Sequence, residues 1–357
     1  MPIGKTKNIG DYIQILATRQ FYDNIDGYIE KEELSQYGGG KCKAIINGWF
    51  MWKPDKGWPP SEEIEPLLIS IHFSPLIINE ILSKKEYLMK HSPIGCRDFF
   101  TLNALREAGI NSYFSGCLTL TLGRTYHFNG QRSGYYFVDP VFTLPLRREL
   151  NLRVCLKILS CFFGNARIIL HLSKKRFFKY YSRAWGYEFY KPGLKGNIKS
   201  VYKAICFYMT YRKKFSDKII QSANYINHII PVNKERPLSH DEWLDMADGF
   251  LKKYSSAELV VTSRIHAALP CLALETPVIF MNSERLNSEK VDFNTPGRVD
   301  GLTDFFRVMT IKEFGIVTND DQLKTLNEIN LDTKIRNKDD WREYSKMLLD
   351  KCTKFMN

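Results

Sequence analysis

Apolar positions in the first third of the chain switch between two periods. Asp11 to Phe21 carries them at helical spacing, whereas Lys43 to Trp52 (KAIINGWFMW) and Leu67 to Ser74 (LLISIHFS) are short apolar runs rich in Ile and aromatics. Such runs predict strands buried on both faces. Ile77 to Lys90 and Asp98 to Ala108 return to helical spacing, and the second closes at Gly109, a natural left-handed stop. Tyr113 to Leu122 and Tyr135 to Phe142 again read as strands. Strand and helix in alternation predict a parallel sheet covered by helices, an α/β fold.

The last third repeats the logic. Ser239 with Glu242 three residues on forms a capping box that opens a helix through Lys253. Glu258 to Thr262 (ELVVT) is a strand, Ser263 is placed to cap a second helix through about Leu274, and Pro277 to Met281 (PVIFM) is the next strand. This αβαβ unit predicts a second doubly wound domain, and residues 338–355 a terminal helix. The length agrees, since 357 residues at roughly 150 per domain give about two.

Charge separates the middle from both ends. The chain carries a formal +12, yet residues 147–218 alone hold eighteen Lys and Arg against three acidic residues, so the remainder is slightly negative. The same segment is dense in aromatics: Phe162, Phe163, Phe177, Phe178, Tyr180, Tyr181, Trp185, Tyr187, Phe189 and Tyr190. Rings beside cations suit a surface at the headgroup level of an anionic membrane. A solvated helical face with core aromatics is the structural alternative, and a nucleic-acid groove has the same ingredients; no nucleic acid is expected here. The division is 1–146, a first lobe; 147–218, a basic, aromatic, helical, membrane-proximal segment; 219–335, a second lobe with a ligand site; and 336–357, a terminal helix.

Eight scattered cysteines without a C-x-x-C pair, and no histidine tract, predict free thiols and no metal site. The first residues lack a signal-like apolar stretch and no uncharged apolar run reaches 18 residues, which predicts a cytoplasmic protein. Two pattern matches fail on chemistry. Gly38-Gly39-Gly40-Lys41 lacks the first glycine of a phosphate loop, and the EF-hand-like stretch from Asp26 has Tyr22 where the first carboxylate belongs.

More informative is Val260 to Phe280 (VVTSRIHAALPCLALETPVIF), in which a strand meets a helix through Thr262, Ser263, Arg264 and His266. That junction is the carboxyl edge of a parallel strand, where doubly wound sheets bind ligands, and the helix start favours anions. Arg264 offers a forked donor and His266 a proton carrier near neutral pH. Arg97, in Pro93-Ile94-Gly95-Cys96-Arg97-Asp98, ends another strand, and Asn8-Ile9-Gly10-Asp11 opens the first helix. By spacing alone each also fits a structural role: a capped helix, a salt bridge, a buried histidine.

Together these segments resemble the polysaccharide pyruvyl transferase family. The likeness is carried by NIGDYIQ (Asn8 to Gln14), GCRD-x-x-T (Gly95 to Thr101), SGCLTLTL (Ser115 to Leu122), VDP (Val138 to Pro140) and VVTSRIHAALPCLAL (Val260 to Leu274), in that order. The resemblance implies two Rossmann-like lobes in a glycosyltransferase-B-like arrangement and transfer of pyruvate from phosphoenolpyruvate to a sugar as a cyclic ketal. It implies that Arg97 and Arg264 grip the donor's carboxylate and phosphate, that His266 is the acid/base residue, and that Ser263, Asn8, Gly10 and Asp11 line the substrate site. Phosphoenolpyruvate serves there as donor, with no cofactor and no metal. Where members often carry a glycine before the Pro-Val of the final strand, this chain has Glu275-Thr276-Pro277-Val278.

The expected protein is a cytoplasmic-side pyruvyl transferase, peripheral to the inner face of the plasma membrane through 147–218. Its acceptor would be a sugar, galactose for instance, on a lipid-diphosphate-linked precursor of a surface polysaccharide such as capsule. The rivals are a glycosyltransferase of the same two-lobe fold using a nucleotide sugar, and a nonenzymatic protein that binds membranes or polyanions.

Overall fold

The computed structural model describes residues 1–3, 6–50, 54–181, 193–230, 237–283, 297 and 299–357. Trp185, Tyr187, Phe189 and Tyr190 of the basic segment lie outside the described residues. A parallel pair, β1 (Pro2–Ile3) and β2 (Ile29–Glu30), is followed by the strands of the first main sheet: β3 (Cys42–Phe50), β4 (Ile64–Phe73), β5 (Ile94–Cys96) and β6 (Ser112–Phe114). These pair in chain order and all parallel. The second sheet contains β7 (Tyr135–Val138), β8 (Asn224–Ile226), β9 (Leu259–Thr262), β10 (Val278–Ser283), β11 (Arg307–Lys312) and β12 (Gly315–Val317). Its order is β12-β11-β10-β9-β7-β8, parallel except at the β11–β12 edge.

Both sheets are apolar on both faces, as parallel sheets covered by helices must be. In β9 and β10, Val260, Val278 and Phe280 enter one core, which holds the helices Ile9–Arg19, His240–Ser255, Ile265–Ala273 and Trp341–Met356. Their neighbours Leu259, Val261, Ile279 and Met281 enter a second core under the helices of the basic segment. Ile45 and Ile69 of the first sheet reach into the first core, while Ala44, Ile46 and Leu68 fill a third.

Three expectations are corrected. β7 lies in the middle of the second sheet, between β8 and β9, so a first lobe ending at residue 146 does not follow the strand pairing. The strand expected from Tyr113 to Leu122 stops at Phe114. Gly116 takes φ +66 and Leu118–Arg124 coil as a 3-10 helix, with Leu118 to Leu122 all buried. The Leu-Thr alternation imitates a strand, but the Thr121 hydroxyl bonds Leu118 O at 2.7 Å, a local bond that competes with strand pairing.

The third correction concerns the aromatics of the basic segment. That segment is helical where described: Leu152–Gly164, Ala166–Ser173, Arg176–Tyr180 and Leu194–Tyr211. Phe177, Phe178, Phe207 and Tyr211 are buried and pack with Phe137 of β7 or Tyr225 of β8, and the buried Tyr181 stacks on Phe142. These rings build the second core and do not lie at a surface. With these rings buried against the sheet, Lys195 and Lys199 face outward, while Lys203 is buried.

Candidate active site

At the end of β9 the chain must turn into the helix Ile265–Ala273, whose residues are all buried. Side-chain hydrogen bonds fix the turn. The Thr262 hydroxyl donates to Val138 O at 2.8 Å and accepts from Arg264 N at 3.0 Å, and the Ser263 hydroxyl donates to Asp139 O. Arg264 is therefore the residue preceding the helix, in extended conformation, and Ser263, expected as the cap, instead ties β9 to β7.

Asp139 organises this edge. Forced to φ +39 just past β7, it accepts from Arg264 Nε at 2.7 Å, from His228 N at 3.0 Å and from Asn227 Nδ2 at 3.3 Å. One carboxylate thus joins the carboxyl ends of β7, β8 and β9 and sets the plane of the Arg264 guanidinium. A positive φ at a non-glycine residue persists only where surrounding bonds dictate it, and here they do. The sequence showed Asp139 only as the centre of Val138-Asp139-Pro140 and assigned it no role.

His228, at the end of β8, is fully buried with its Nε2 2.7 Å from the Tyr254 hydroxyl. Burial pushes its pKa down to about 3, aided by Arg264 and opposed by Asp139, so it stays neutral. Its carbonyl accepts from Ile9 N at 2.9 Å, which fixes the start of the first helix against this edge. Asn8 caps that helix through Gly10 N at 3.2 Å, and Asp11 accepts from Gln14 Nε2 at 3.4 Å. Gly10 sits against His266: a Cβ there would stand 3.1 Å from His266 Cβ and 3.4 Å from Nδ1. A side chain at this position would crowd the imidazole, and glycine lets the helix approach it closely. His266 is buried in the first turn of its helix.

The first sheet contributes Arg97, directly after β5. Its backbone N donates to Ile71 O at 2.9 Å, and its side chain is 1% exposed. Among the described residues none of its three guanidinium nitrogens has a hydrogen-bond partner, and Asp98 Oδ2 stands 3.9 Å from Nε. That carboxylate is engaged elsewhere. Asp98 caps the helix Phe99–Glu107 through Thr101 N at 2.9 Å and accepts from His72 Nδ1, on β4, at 2.6 Å. A buried guanidinium with no hydrogen-bond partner among the described residues calls for an explanation, and an anionic ligand is the chemical complement of one.

The two edges are bridged. Gly10 touches His266, and Gln14, one turn later on the same helix face, is the neighbour of Gly48 near the end of β3, 3.5 Å from a Cβ built there. Four residues of helix advance about 6 Å, so His266 and the β3 end border one region. Downstream of β10, Asp300 O accepts from Phe99 N at 3.3 Å, and Gly301 packs on Phe99 and Phe114, bringing the chain onto the helix that follows Arg97. The structure therefore gathers Gly10, Asp11, Arg264 and His266 at one edge and Arg97 at the other. Asn8 and Ser263 are placed there too, with their side chains engaged in the cap and the turn. Asp139, His72, Asp98 and His228 join them without having been expected.

A buried guanidinium without a hydrogen-bond partner among the described residues and a second guanidinium held by a carboxylate are groups suited to anions, and an imidazole at a helix start is one suited to moving a proton. A family model described as polysaccharide pyruvyl transferase matches residues 8–285, a span that contains every one of these residues except Asp300 and Gly301. No curated protein and no solved structure matches the chain. With more than half of its length under that match, and the matched motifs forming both edges of the site, the chain belongs to the polysaccharide pyruvyl transferase family.

Proposed function

We propose that the protein transfers pyruvate from phosphoenolpyruvate onto a sugar of a lipid-diphosphate-linked polysaccharide precursor, closing a cyclic ketal. Galactose is the acceptor to try first. In this reading the two parallel sheets are the lobes of a glycosyltransferase-B-like pair with the donor held at their carboxyl edges. The unpartnered, buried Arg97 is the observation that carries it. Arg97 and Arg264 receive the donor's carboxylate and phosphate, forked cations matching planar and tetrahedral anions without a metal or cofactor.

His266 protonates the donor methylene, leaving C2 electron-deficient. One sugar hydroxyl attacks C2 and loses its proton; the bond from C2 to the phosphate oxygen breaks and inorganic phosphate departs. A second hydroxyl of the sugar then attacks C2 and closes the ketal. Of the two protons lost by the hydroxyls, one balances that spent on the methylene and the other leaves on phosphate. Asp139 positions Arg264, and Gly10 keeps the space that His266 needs.

The test is incubation of the purified protein with phosphoenolpyruvate and a panel of lipid-linked and synthetic galactosides, following phosphate release and mass gain on the sugar. Thermal stabilisation by UDP or GDP and none by phosphoenolpyruvate would favour the nucleotide-sugar rival. A His266 variant indistinguishable in every assay would favour the nonenzymatic one.

A further inference from the structure

Helix Leu152–Gly164 presents Leu152, Leu156, Leu159 and Phe163 outward, at 76%, 56%, 51% and 76% exposure. At 100° per residue these positions fall within an arc of about 60°, a single apolar stripe, while Cys161 on the opposite side is buried. The helix packs on Leu194–Tyr211, whose first turns add Leu194 and Ile198 to the exposed apolar surface. Arg153 and Lys157 follow the stripe residues along one flank, and Lys195 and Lys199 flank the second helix's pair; all four are exposed. Large apolar side chains aligned in this way mark a surface that meets something other than water.

Charge identifies the partner. A second copy docked on the same face would bring two strongly cationic segments together, because residues 147–218 hold eighteen Lys and Arg against three acids. An anionic bilayer complements both features, taking the side chains into its interface and the cations at its phosphates. No single helix among the described residues is long and apolar enough to cross a membrane. At 13 residues this helix is about 20 Å long, against about 30 Å of hydrocarbon. Its geometry is that of a helix lying in the interface plane.

We propose that this face docks the protein on an anionic lipid surface, with Leu152, Leu156, Leu159 and Phe163 inserted and Arg153, Lys157, Lys195 and Lys199 at the headgroups. Of the aromatics in the basic segment, Phe163 belongs to this face, whereas Phe177 and Phe178 are core. It does not depend on the reaction proposed above, although a lipid-borne acceptor would give it a use. The experiment is cosedimentation of the full chain, without donor or acceptor, on vesicles of phosphatidylcholine alone and of phosphatidylcholine mixed with phosphatidylglycerol. Binding is expected only on the mixed vesicles and weakens with salt.

Leu156→Ser with Phe163→Ser should weaken that binding at least about tenfold at unchanged circular dichroism. Should the double variant fail to fold, Arg153→Gln with Lys157→Gln serves instead and should lower affinity and the salt dependence together. Equal binding to both vesicle types, or binding indifferent to these substitutions, overturns the proposal. So does a wild-type dimer that the same substitutions split while no vesicle binding is seen, an outcome that assigns the stripe to a second copy.

Discussion

Replacing Arg97 by Met separates a ligand-binding guanidinium from a structural one, because the two roles predict opposite balances of stability and affinity. At 1% exposure the effective desolvation penalty of the guanidinium is several kcal/mol. Against this stands Asp98, 3.9 Å away, whose attraction at an effective dielectric constant of 20 is about 4 kcal/mol. That carboxylate is already stabilised by His72 Nδ1 at 2.6 Å and Thr101 N at 2.9 Å, so it does not depend on Arg97 for its partners. The opposing effects nearly cancel. Since Met retains much of the buried stem, the free variant should lie within about 1–2 kcal/mol of wild type, whereas removing one member of a satisfied buried ion pair costs about 3–5 kcal/mol.

Donor affinity should behave differently. Loss of a charge-assisted contact weakens binding by about 1.5–3 kcal/mol, roughly 12- to 160-fold. Urea unfolding with and without phosphoenolpyruvate reads both quantities. At a hundred times the wild-type Kd, the donor stabilises wild type by about 2.7 kcal/mol, and the variant at the same concentration by no more than about 1.3 kcal/mol. A variant destabilised by about 3–5 kcal/mol that still gains the full wild-type increment from the donor would refute the reasoning and return Arg97 to the core.

His266→Gln should lower turnover by about 10²–10⁴-fold while the unfolding midpoint stays near wild type, as checked by steady-state phosphate release beside thermal melts. Arg264→Lys should cost about 1.5–3 kcal/mol of donor binding because the fork is lost, and Asp139→Asn should weaken binding in the same direction by loosening Arg264, both measured by calorimetric titration. His228 is neutral in the fold with a pKa near 3 and titrates near 6.5 when unfolded; stability linked to it is present above that unfolded value and is lost as pH falls toward 3. By pH 5 the loss amounts to about 2 kcal/mol relative to pH 8, and the wild-type slope of unfolding free energy against pH should exceed that of His228→Gln. A chelator should leave transfer unchanged, as a rate assay with excess chelator would show, since the guanidiniums neutralise the donor.

The elements legible in the sequence were those set by local pattern. Ser239 and Glu242 do form the reciprocal cap of the helix His240–Ser255, and Gly109 takes φ +79 behind the helix that Asp98 opens. Glu275, in the Glu-Thr pair before Pro277-Val278, takes φ +56, the conformation a glycine would take at no steric cost. What escaped was nonlocal pairing. β7 reads as a strand from its own residues, but nothing local says that its partners begin at Asn224 and Leu259 rather than in the preceding sheet. The Phe177 and Phe178 rings stand beside lysines in the chain, and only the packing of their helix on β8 shows them as core.

The site was legible to a different degree at its two edges, for a physical reason. Thr262, Ser263, Arg264 and His266 are contiguous, so a strand end, a turn and a helix start could be recognised within one stretch. Asp139 and His72 act across distance: the first holds Arg264 from 125 positions away, the second meets Asp98 from 26. A histidine inside the run LLISIHFS reads as core because its neighbours are core, and it is indeed wholly buried. Its partner alone distinguishes it. His72 binds the same Asp98 oxygen that stands 3.9 Å from Arg97 Nε, so the histidine and the guanidinium share one carboxylate across adjacent strands. On the reading proposed above, the histidine on the adjacent strand holds this carboxylate in place while the guanidinium's own donors stay available for an anion.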